Sequence, residues 1–274
     1  MTHTIDRYAV IGNPIEHSKS PQIHSTFAQQ TGQELAYSRL LGEANQFEQQ
    51  VREFMATGGK GLNVTVPFKE IAWQLMDERS ARAESARAVN TIILLENGQL
   101  RGDNTDGVGL VRDLCDNQGA SLQGMRILLL GAGGAARGVL LPLLETGPSQ
   151  VTIANRTVSK AVDLASDLKS LGPIEGCGFD DLSGQKFDLI INATAAGLNN
   201  RVPDIPDGLL AEGGWCYDMM YGDKPTAFMG WGGQQGAAHC VDGLGMLVEQ
   251  AAESFYLWRG IRPDTAPVIQ ALRK

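Results

Sequence analysis

Cysteine is scarce in this sequence. Four stand in 274 residues, Cys115, Cys177, Cys216 and Cys240, and no two form a C-x-x-C pair. That spacing excludes a disulfide framework or a zinc ribbon and fits structural thiols in a reducing compartment. Histidine is equally rare at four residues (His3, His17, His24, His239), with no H-E-x-x-H and no other metal-ligand spacing, so no metal is expected. No basic run occurs, and 23 Lys and Arg stand against 31 Asp and Glu, a net charge of −8. A chain with that balance is not built to track phosphates, and nucleic acid is not an expected partner. A long apolar run is also missing. The most apolar stretch, residues 127–144, is interrupted by Arg137, Pro142 and four glycines, whereas a membrane span needs about 20 nearly uninterrupted apolar residues. The opening residues Met1-Thr2-His3-Thr4-Ile5-Asp6 lack the basic and apolar regions of a secretory signal. These absences predict a cytoplasmic protein, monomer or homodimer, away from membranes, whose partner is a small molecule. The three N-x-T sequons at Asn63, Asn155 and Asn192 then carry no weight for glycosylation.

What the sequence does contain is a core-forming share of apolar residues, 43%, arranged as short β-branched runs alternating with helical patterns. That alternation predicts an α/β fold with parallel βαβ construction. Strands are predicted near Tyr8–Ile11, Leu35–Leu41, Leu62–Val66 and Val89–Leu95, with a helix over Asn45–Met55, where Phe47, Val51, Phe54 and Met55 recur at helical spacing. Asn97-Gly98 signals a tight hairpin. A second series begins at Met125, with strands near Arg126–Leu130, Val151–Ala154, Phe187–Ile191, Trp215–Asp218 and Ala238–Val241, and an amphipathic helix closes the chain from Gly243 to Arg259. The expected architecture is two lobes. Residues 1–105 form an N-terminal α/β lobe, 106–242 a doubly wound Rossmann-type lobe, and the C-terminal helices of 243–274 return to the first.

The strand Arg126–Leu130 runs into Gly131-Ala132-Gly133-Gly134-Ala135-Ala136-Arg137, which satisfies G-x-G-x-x-[GA]. Gly131 permits the tight turn, Gly133 lets a pyrophosphate approach the backbone, and Ala136 lets the new helix pack on the strand. The helix N-terminus then offers free N–H groups to phosphate. A glycine motif alone is weak, but this one sits in the strand-turn-helix context that a dinucleotide site requires. Pro142 should kink the helix that follows. At the end of the second strand a carboxylate would hold a ribose 2′-hydroxyl and repel a 2′-phosphate. Here the chain reads Asn155-Arg156-Thr157-Val158-Ser159-Lys160, with no acid and two cations, so NADP(H) is favoured over NAD(H).

Three loops of the first lobe carry more polar chemistry than packing needs. Ser18-Lys19-Ser20-Pro21 precedes a helix and could hold a carboxylate, although taken alone it is better read as helix capping by Ser20. In Asn63-Val64-Thr65-Val66-Pro67-Phe68-Lys69, alternation puts Asn63 and Thr65 on one face of a strand end, with Lys69 in the turn beyond. A lysine there is more often a solvated surface group. The third loop sets Asn90 beside Gly102-Asp103-Asn104-Thr105-Asp106-Gly107, in which Asp106 could serve only as a helix N-cap.

Taken together these segments resemble the shikimate dehydrogenase family. Ala88-Val89-Asn90-Thr91, Asn192-Ala193-Thr194, Tyr217-Asp218-Met219-Met220-Tyr221 and Asp242-Gly243-Leu244-Gly245-Met246-Leu247, with Gln250 after it, extend the resemblance over nearly the whole chain and in order. It implies NADPH-dependent, reversible reduction of 3-dehydroshikimate to shikimate on the route to chorismate and the aromatic amino acids. It also implies roles. Ser18 and Ser20, helped by Tyr221, would bind the substrate carboxylate; Asn63, Thr65, Asn90 and Gln250 the ring hydroxyls. Lys69 and Asp106 would form the catalytic pair. Gly131, Ala132, Gly133, Gly134, Ala135, Asn155, Arg156, Thr157, Lys160, Met219 and Gly243 would line the cofactor. The sequence departs from the family's pattern at Ala136, where Ser is common, at Arg87, where Gly is frequent, and at Ala195-Ala196, where hydroxyl residues are commoner. Two rival readings are a quinate/shikimate dehydrogenase with relaxed cofactor use and a non-catalytic NADP(H) sensor on the same fold.

Overall fold

The computed structural model describes residues 5–196 and 201–273. His3 lies outside them. The chain forms two compact units, residues 1–109 with 248–274, and residues 110–247.

The first unit carries β1 (Asp6–Gly12), α1 (Ser20–Thr31), β2 (Leu35–Leu41), α2 (Phe47–Ala56), β3 (Gly59–Val64), α3 (Lys69–Leu75), β4 (Glu78–Arg79), α4 (Ala81–Ala86), β5 (Thr91–Leu94) and β6 (Leu100–Asp103). Its sheet runs β2-β1-β3-β5-β6-β4. The first three strands are parallel; β5 runs antiparallel to both β3 and β6, to which the predicted hairpin joins it, and β6 pairs parallel with β4. The turn there spans Glu96-Asn97-Gly98, closed by Leu95 N donating to Gln99 O at 2.9 Å, with Gly98 at φ 84°. One face of the sheet packs Ala9, Ile11, Leu62, Val64 and Ile92 against Phe47, Val51 and Phe54 of α2 and Phe68. The two-residue strand β4 went unseen in the sequence, because a pair as short as Glu78-Arg79 has no periodicity to read. The strand predicted to reach Val66 ends at Val64, and the one predicted from Val89 begins at Thr91.

The chain passes to the second unit within α5 (Asp106–Arg112), which widens into a π-helical turn over Asp113–Asn117. There follow β7 (Arg126–Leu130), α6 (Gly134–Glu145), β8 (Gln150–Ala154), α7 (Val158–Leu168), β9 (Ile174–Cys177), β10 (Phe187–Asn192), β11 (Leu210–Asp218), α8 (Ala227–Gln234) and β12 (His239–Asp242). The six strands are all parallel, in the order β12-β11-β10-β7-β8-β9. That is the doubly wound Rossmann order, reversing direction between β7 and β10. Both faces of the sheet are covered. Ile127 and Leu129 of β7 point into the cluster formed with Val139, Leu140 and Leu143 of α6, while Leu128 and Leu130 point into the one formed with Phe228 of α8. Pro142 sits buried inside α6, which continues to Glu145. Strand β9 was missed because Ile174-Glu175-Gly176-Cys177 carries a single β-branched residue. Gly176 is nonetheless required: a Cβ there would stand 2.3 Å from the Ala161 carbonyl oxygen of α7.

The return path is α9 (Leu244–Arg259), followed by α10 (Ala266–Leu272). In the first unit α9 is fixed by Trp258, whose indole N–H donates to Ile92 O at 3.0 Å across the space that Gly61 leaves open.

Candidate active site

Sheet register assembles the polar cluster of the first unit. Asn63 of β3 pairs with Thr91 of β5, and Thr91 pairs with Asp103 of β6, so the three loops leaving those strands emerge side by side. Two backbone bonds extend the rung, Val64 N to Asn90 O at 2.8 Å and Asn90 N to Asp103 O at 3.1 Å. On this scaffold Lys69, the first residue of α3, reaches Asp106, the first residue of α5. Lys69 Nζ lies 2.6 Å from Asp106 Oδ2, with side chains 30% and 14% exposed. Access to solvent is small but real, so the pair is reachable by a ligand. Its second carboxylate oxygen accepts from Asn90 Nδ2 at 2.9 Å. The same amide nitrogen meets Thr105 Oγ1 at 2.9 Å and Gln250 Oε1, from α9, at 3.3 Å.

Asp106 is not an N-cap; Asn104 Oδ1 takes its backbone N–H at 3.1 Å. Nor does Ser20 cap α1. It is the first helical residue, and its N–H is accepted by Ser18 Oγ at 3.3 Å while the two hydroxyls bond to each other at 3.2 Å. Thr65, just past β3, half-buried, continues the ladder by donating to Ile11 O at 3.0 Å. Its methyl occupies the space a Cβ on Gly12 would need.

Several residues of this unit were not anticipated. Arg82 grips Asp103 with two bonds, 3.0 and 2.8 Å, and Glu253 with a third at 3.0 Å, holding the loop that leads to Asp106 against α9. Asp103 is 1% exposed and also accepts from Ser80 Oγ at 2.6 Å. Ser254, one turn beyond Gln250, sits among Asn63, Thr91 and Thr105 at 3.0, 2.7 and 3.2 Å. Tyr37 donates to Asn63 Oδ1 at 2.6 Å. The i, i+4 spacing of Gln250 and Ser254 on one helix was the only sequence signal for any of these.

The second unit presents a different surface. A cavity of about 930 Å³ opens at the β7/β10 reversal, lined by Gly131–Ala135, Asn155–Val158, Lys160, Ala193–Ala196 and Arg201. Its residues fit a dinucleotide. Gly131 has φ 107°, which an L side chain rarely adopts, and a Cβ there would meet Ala193 O at 3.2 Å. Gly133 faces open space, and α6 begins at Gly134 with its N–H groups unclaimed by any side-chain cap. The turn after β8 bears Arg156 and Thr157, with Lys160 in the first turn of α7, all exposed, and is pinned by Asn155 Nδ2 donating to Thr157 O at 3.0 Å. Asp180 and Asp204 also line the cavity, but neither belongs to that turn. Met219, Tyr221 and Gly243 do not line it. They follow the ends of β11 and β12, braced by Met219 N to Asn192 O at 3.0 Å and Gly243 N to Met220 O at 3.0 Å. A Cβ on Gly243 would stand 2.2 Å from Met219 O, so that approach requires glycine. Behind them Asn192 Nδ2 donates to the buried Asp218 carboxylate at 3.0 Å, whose pKa burial raises. No group of His, Cys, Asp and Glu suited to a metal occurs among the described residues, and none of the described helices is long and apolar enough to cross a membrane.

A Rossmann unit with a glycine-lined cavity, joined to a unit holding a partly buried Lys–Asp pair among amide and hydroxyl groups, defines a dinucleotide-dependent oxidoreductase. Comparison with known proteins agrees and narrows the class. Residues 10–92 match the shikimate dehydrogenase substrate binding domain, 113–200 the shikimate / quinate 5-dehydrogenase model, and 243–273 the shikimate 5'-dehydrogenase C-terminal domain. The chain is 61% identical to a shikimate dehydrogenase (NADP(+)) of Alkalilimnicola ehrlichii, with 98% of each chain covered. Among solved structures it resembles an Ael1 enzyme from Pseudomonas putida (TM-score 0.92, 47% identity, 98% of both chains). It also resembles a shikimate 5-dehydrogenase from Thermus thermophilus in complex with NADP(H) and shikimate (TM-score 0.87, 32% identity, 98% and 99% covered). The chain belongs to the shikimate dehydrogenase family.

Proposed function

We propose that this chain catalyses the reversible reduction of 3-dehydroshikimate to shikimate with NADPH, on the route to chorismate, in the cytoplasm, as a monomer or homodimer. Residues 1–105 with 243–274 hold the substrate, and residues 106–242 hold the cofactor. The observation that carries the reading is the 2.6 Å Lys69–Asp106 pair, set where Asn90 and Gln250 converge.

When bound, the reduced nicotinamide supplies hydride to the ketone carbon. Negative charge then develops on the carbonyl oxygen, and the Lys69 ammonium stabilises it and donates a proton there; in the oxidation direction the amine takes that proton back. Asp106 holds Lys69 in place, and Asn90 holds Asp106. A hydrogen bond to an ionised group contributes about 1.5–3 kcal/mol, so this chain fixes the ammonium more firmly than a solvated lysine could be fixed. Ser18 and Ser20, with Tyr221, bind the carboxylate, and Asn63, Thr65, Asn90 and Gln250 the ring hydroxyls. Gly131–Ala135, Met219 and Gly243 lie along the dinucleotide, and Asn155, Arg156, Thr157 and Lys160 receive its adenosine 2′-phosphate. The absence of a carboxylate in that last turn opposes NAD(H) and with it relaxed cofactor use.

The experiment is absorbance at the nicotinamide band during incubation with shikimate and NADP⁺, with quinate and NAD⁺ as parallel arms. Reduction of NADP⁺ by shikimate, well ahead of the other three combinations, is expected. A silent cuvette in all four would end the enzymatic reading, and comparable rates in all four would favour the relaxed dehydrogenase.

A further inference from the structure

The side-chain amide of Asn63 has only one orientation open to it. One of its terminal atoms lies 3.2 Å from the Asn90 carbonyl oxygen, an acceptor, so that atom must be the nitrogen. The nitrogen also faces Ser254 Oγ at 3.0 Å and Thr91 Oγ1 at 3.3 Å, so its protons are directed into the protein. The oxygen Oδ1 is left on the other side, 2.6 Å from the Tyr37 hydroxyl, which must therefore be the donor. Burial holds the Tyr37 phenol well above its usual pKa, so its proton stays on.

Tyr37 is itself immobilised. Its ring lies 4.3 Å from that of His24, with 5° between the planes, and His24 is fully buried among Phe27, Phe255 and Trp258. Neither nitrogen of His24 has a hydrogen-bond partner among the described residues. The ring therefore acts as a flat packing plate at the cost of an unsatisfied imidazole, a cost a core position does not ordinarily bear.

We propose that Tyr37 is a positioning residue of the substrate site: braced by His24, it fixes Asn63 as an acceptor only. Asn63 then meets the ligand with the remaining lone pair of Oδ1, which a ring hydroxyl satisfies by donating and a carbonyl or a bare methylene cannot. A site built to bond a hydroxyl rejects the analogue lacking it, because its own polar group is left unpaired. The inference rests on the proposed contact between Asn63 and the substrate ring.

The test is steady-state kinetics of Tyr37→Phe, which keeps the stacked ring and removes the hydroxyl. With shikimate and NADP⁺ the expected result is a roughly tenfold rise in the KM for shikimate, the worth of one neutral hydrogen bond. The kcat should stay within about threefold and the KM for NADP⁺ unchanged. The singly deoxygenated shikimates separate positioning from packing. For the one lacking the hydroxyl that meets Asn63, wild type and variant should have the same KM. An unchanged KM for shikimate, or an equal rise for every analogue, overturns the proposal. If wild type itself fails to oxidise shikimate, the assigned function falls and this inference with it; if wild type is active and the variant indistinguishable from it, only the inference falls.

Discussion

The two units handle polar groups in opposite ways. In the first, Asn63, Lys69, Asn90, Thr105, Asp106, Gln250 and Ser254 spend their hydrogen bonds on one another, drawn from five separate stretches of chain by sheet register and one helix. In the second, the cavity is walled largely by glycine and alanine, and its cations Arg156, Lys160 and Arg201 enter no ion pair among the described residues. The difference follows from what each ligand offers. A dinucleotide brings its own charge and can be met by free N–H groups and loose cations. The reacting carbonyl carries no charge until hydride arrives, so the groups that answer its developing charge must be in place beforehand. Substitutions at the Lys69–Asp106 pair should therefore propagate to turnover, and those in the second unit should remain matters of affinity.

Lys69→Ala breaks the comparison most sharply. Loss of the proton donor should lower kcat by about 10³-fold, within the range for a positioned acid–base group, and it also leaves the partly buried Asp106 without its cation. Binding of NADPH, followed by fluorescence titration, should stay within about twofold. Near-normal turnover would remove Lys69 from the chemistry, and a parallel loss of cofactor affinity would mean that the units are not separable in function.

Arg156→Ala is the counterpart on the other side. An exposed guanidinium that meets a 2′-phosphate contributes a charge-assisted bond of about 2 kcal/mol, so the KM for NADP⁺ should rise roughly 30-fold. The kcat at saturation and the KM for shikimate should hold, and the parameters for NAD⁺, which lacks the phosphate, should not move. A loss shared equally by the two cofactors would place Arg156 on the adenine or the pyrophosphate instead.

The units also differed in how far they could be read beforehand. In the second, local pattern sufficed. The strand Arg126–Leu130, the glycine turn and the acid-free turn after β8 are contiguous in sequence, and each carries its own physical reason. Strand β9 escaped because Gly176 was selected for close approach to α7, which no local pattern announces. In the first unit the site residues were legible only through the resemblance. Taken singly, Ser20 and Asp106 read as helix caps and Lys69 as a surface lysine, and what overturns those readings is register between β3, β5 and β6. Arg82, Tyr37 and Ser254 act through residues at least 21 positions away, Asp103, Asn63 and Asn63 again. No periodicity encodes such contacts. His24 is the extreme case, a titratable residue placed where only its shape is used.

That burial gives His24 a signature in stability. Its pKa is depressed from 6.5 to about 3, chiefly by desolvation. The unfolded chain thus binds a proton that the native one refuses between those values, and the native state loses stability as pH falls below 6.5. From pH 7 to pH 5.5 the loss should be about 1 kcal/mol, by linkage. His24→Leu removes the group, so urea unfolding at the two pH values should show the variant gaining about that much on wild type as the solution is acidified. A constant difference between the two proteins would mean that His24 titrates normally.

The smallest effect concerns Arg87, which closes α4 at φ 48° and is the one described non-glycine residue with positive φ. The left-handed conformation favours glycine, since a Cβ there is strained by about 1 kcal/mol. Arg87→Gly relieves that strain and gives back part of the gain as extra unfolded-state entropy. A net stabilisation of about 0.5 kcal/mol, or 1–2 °C in Tm for a chain of this size, is expected. Arg87→Ala is the control: it keeps the Cβ and loses the same long side chain, so it should gain nothing. Because Arg87 leads directly into Ala88-Val89-Asn90, the pair of variants also asks whether the strain serves the site. If Arg87→Gly is more stable with unaltered kcat, the strain is incidental to the packing of α4; if kcat falls while Arg87→Ala keeps it, the left-handed residue is helping to hold Asn90 against Asp106.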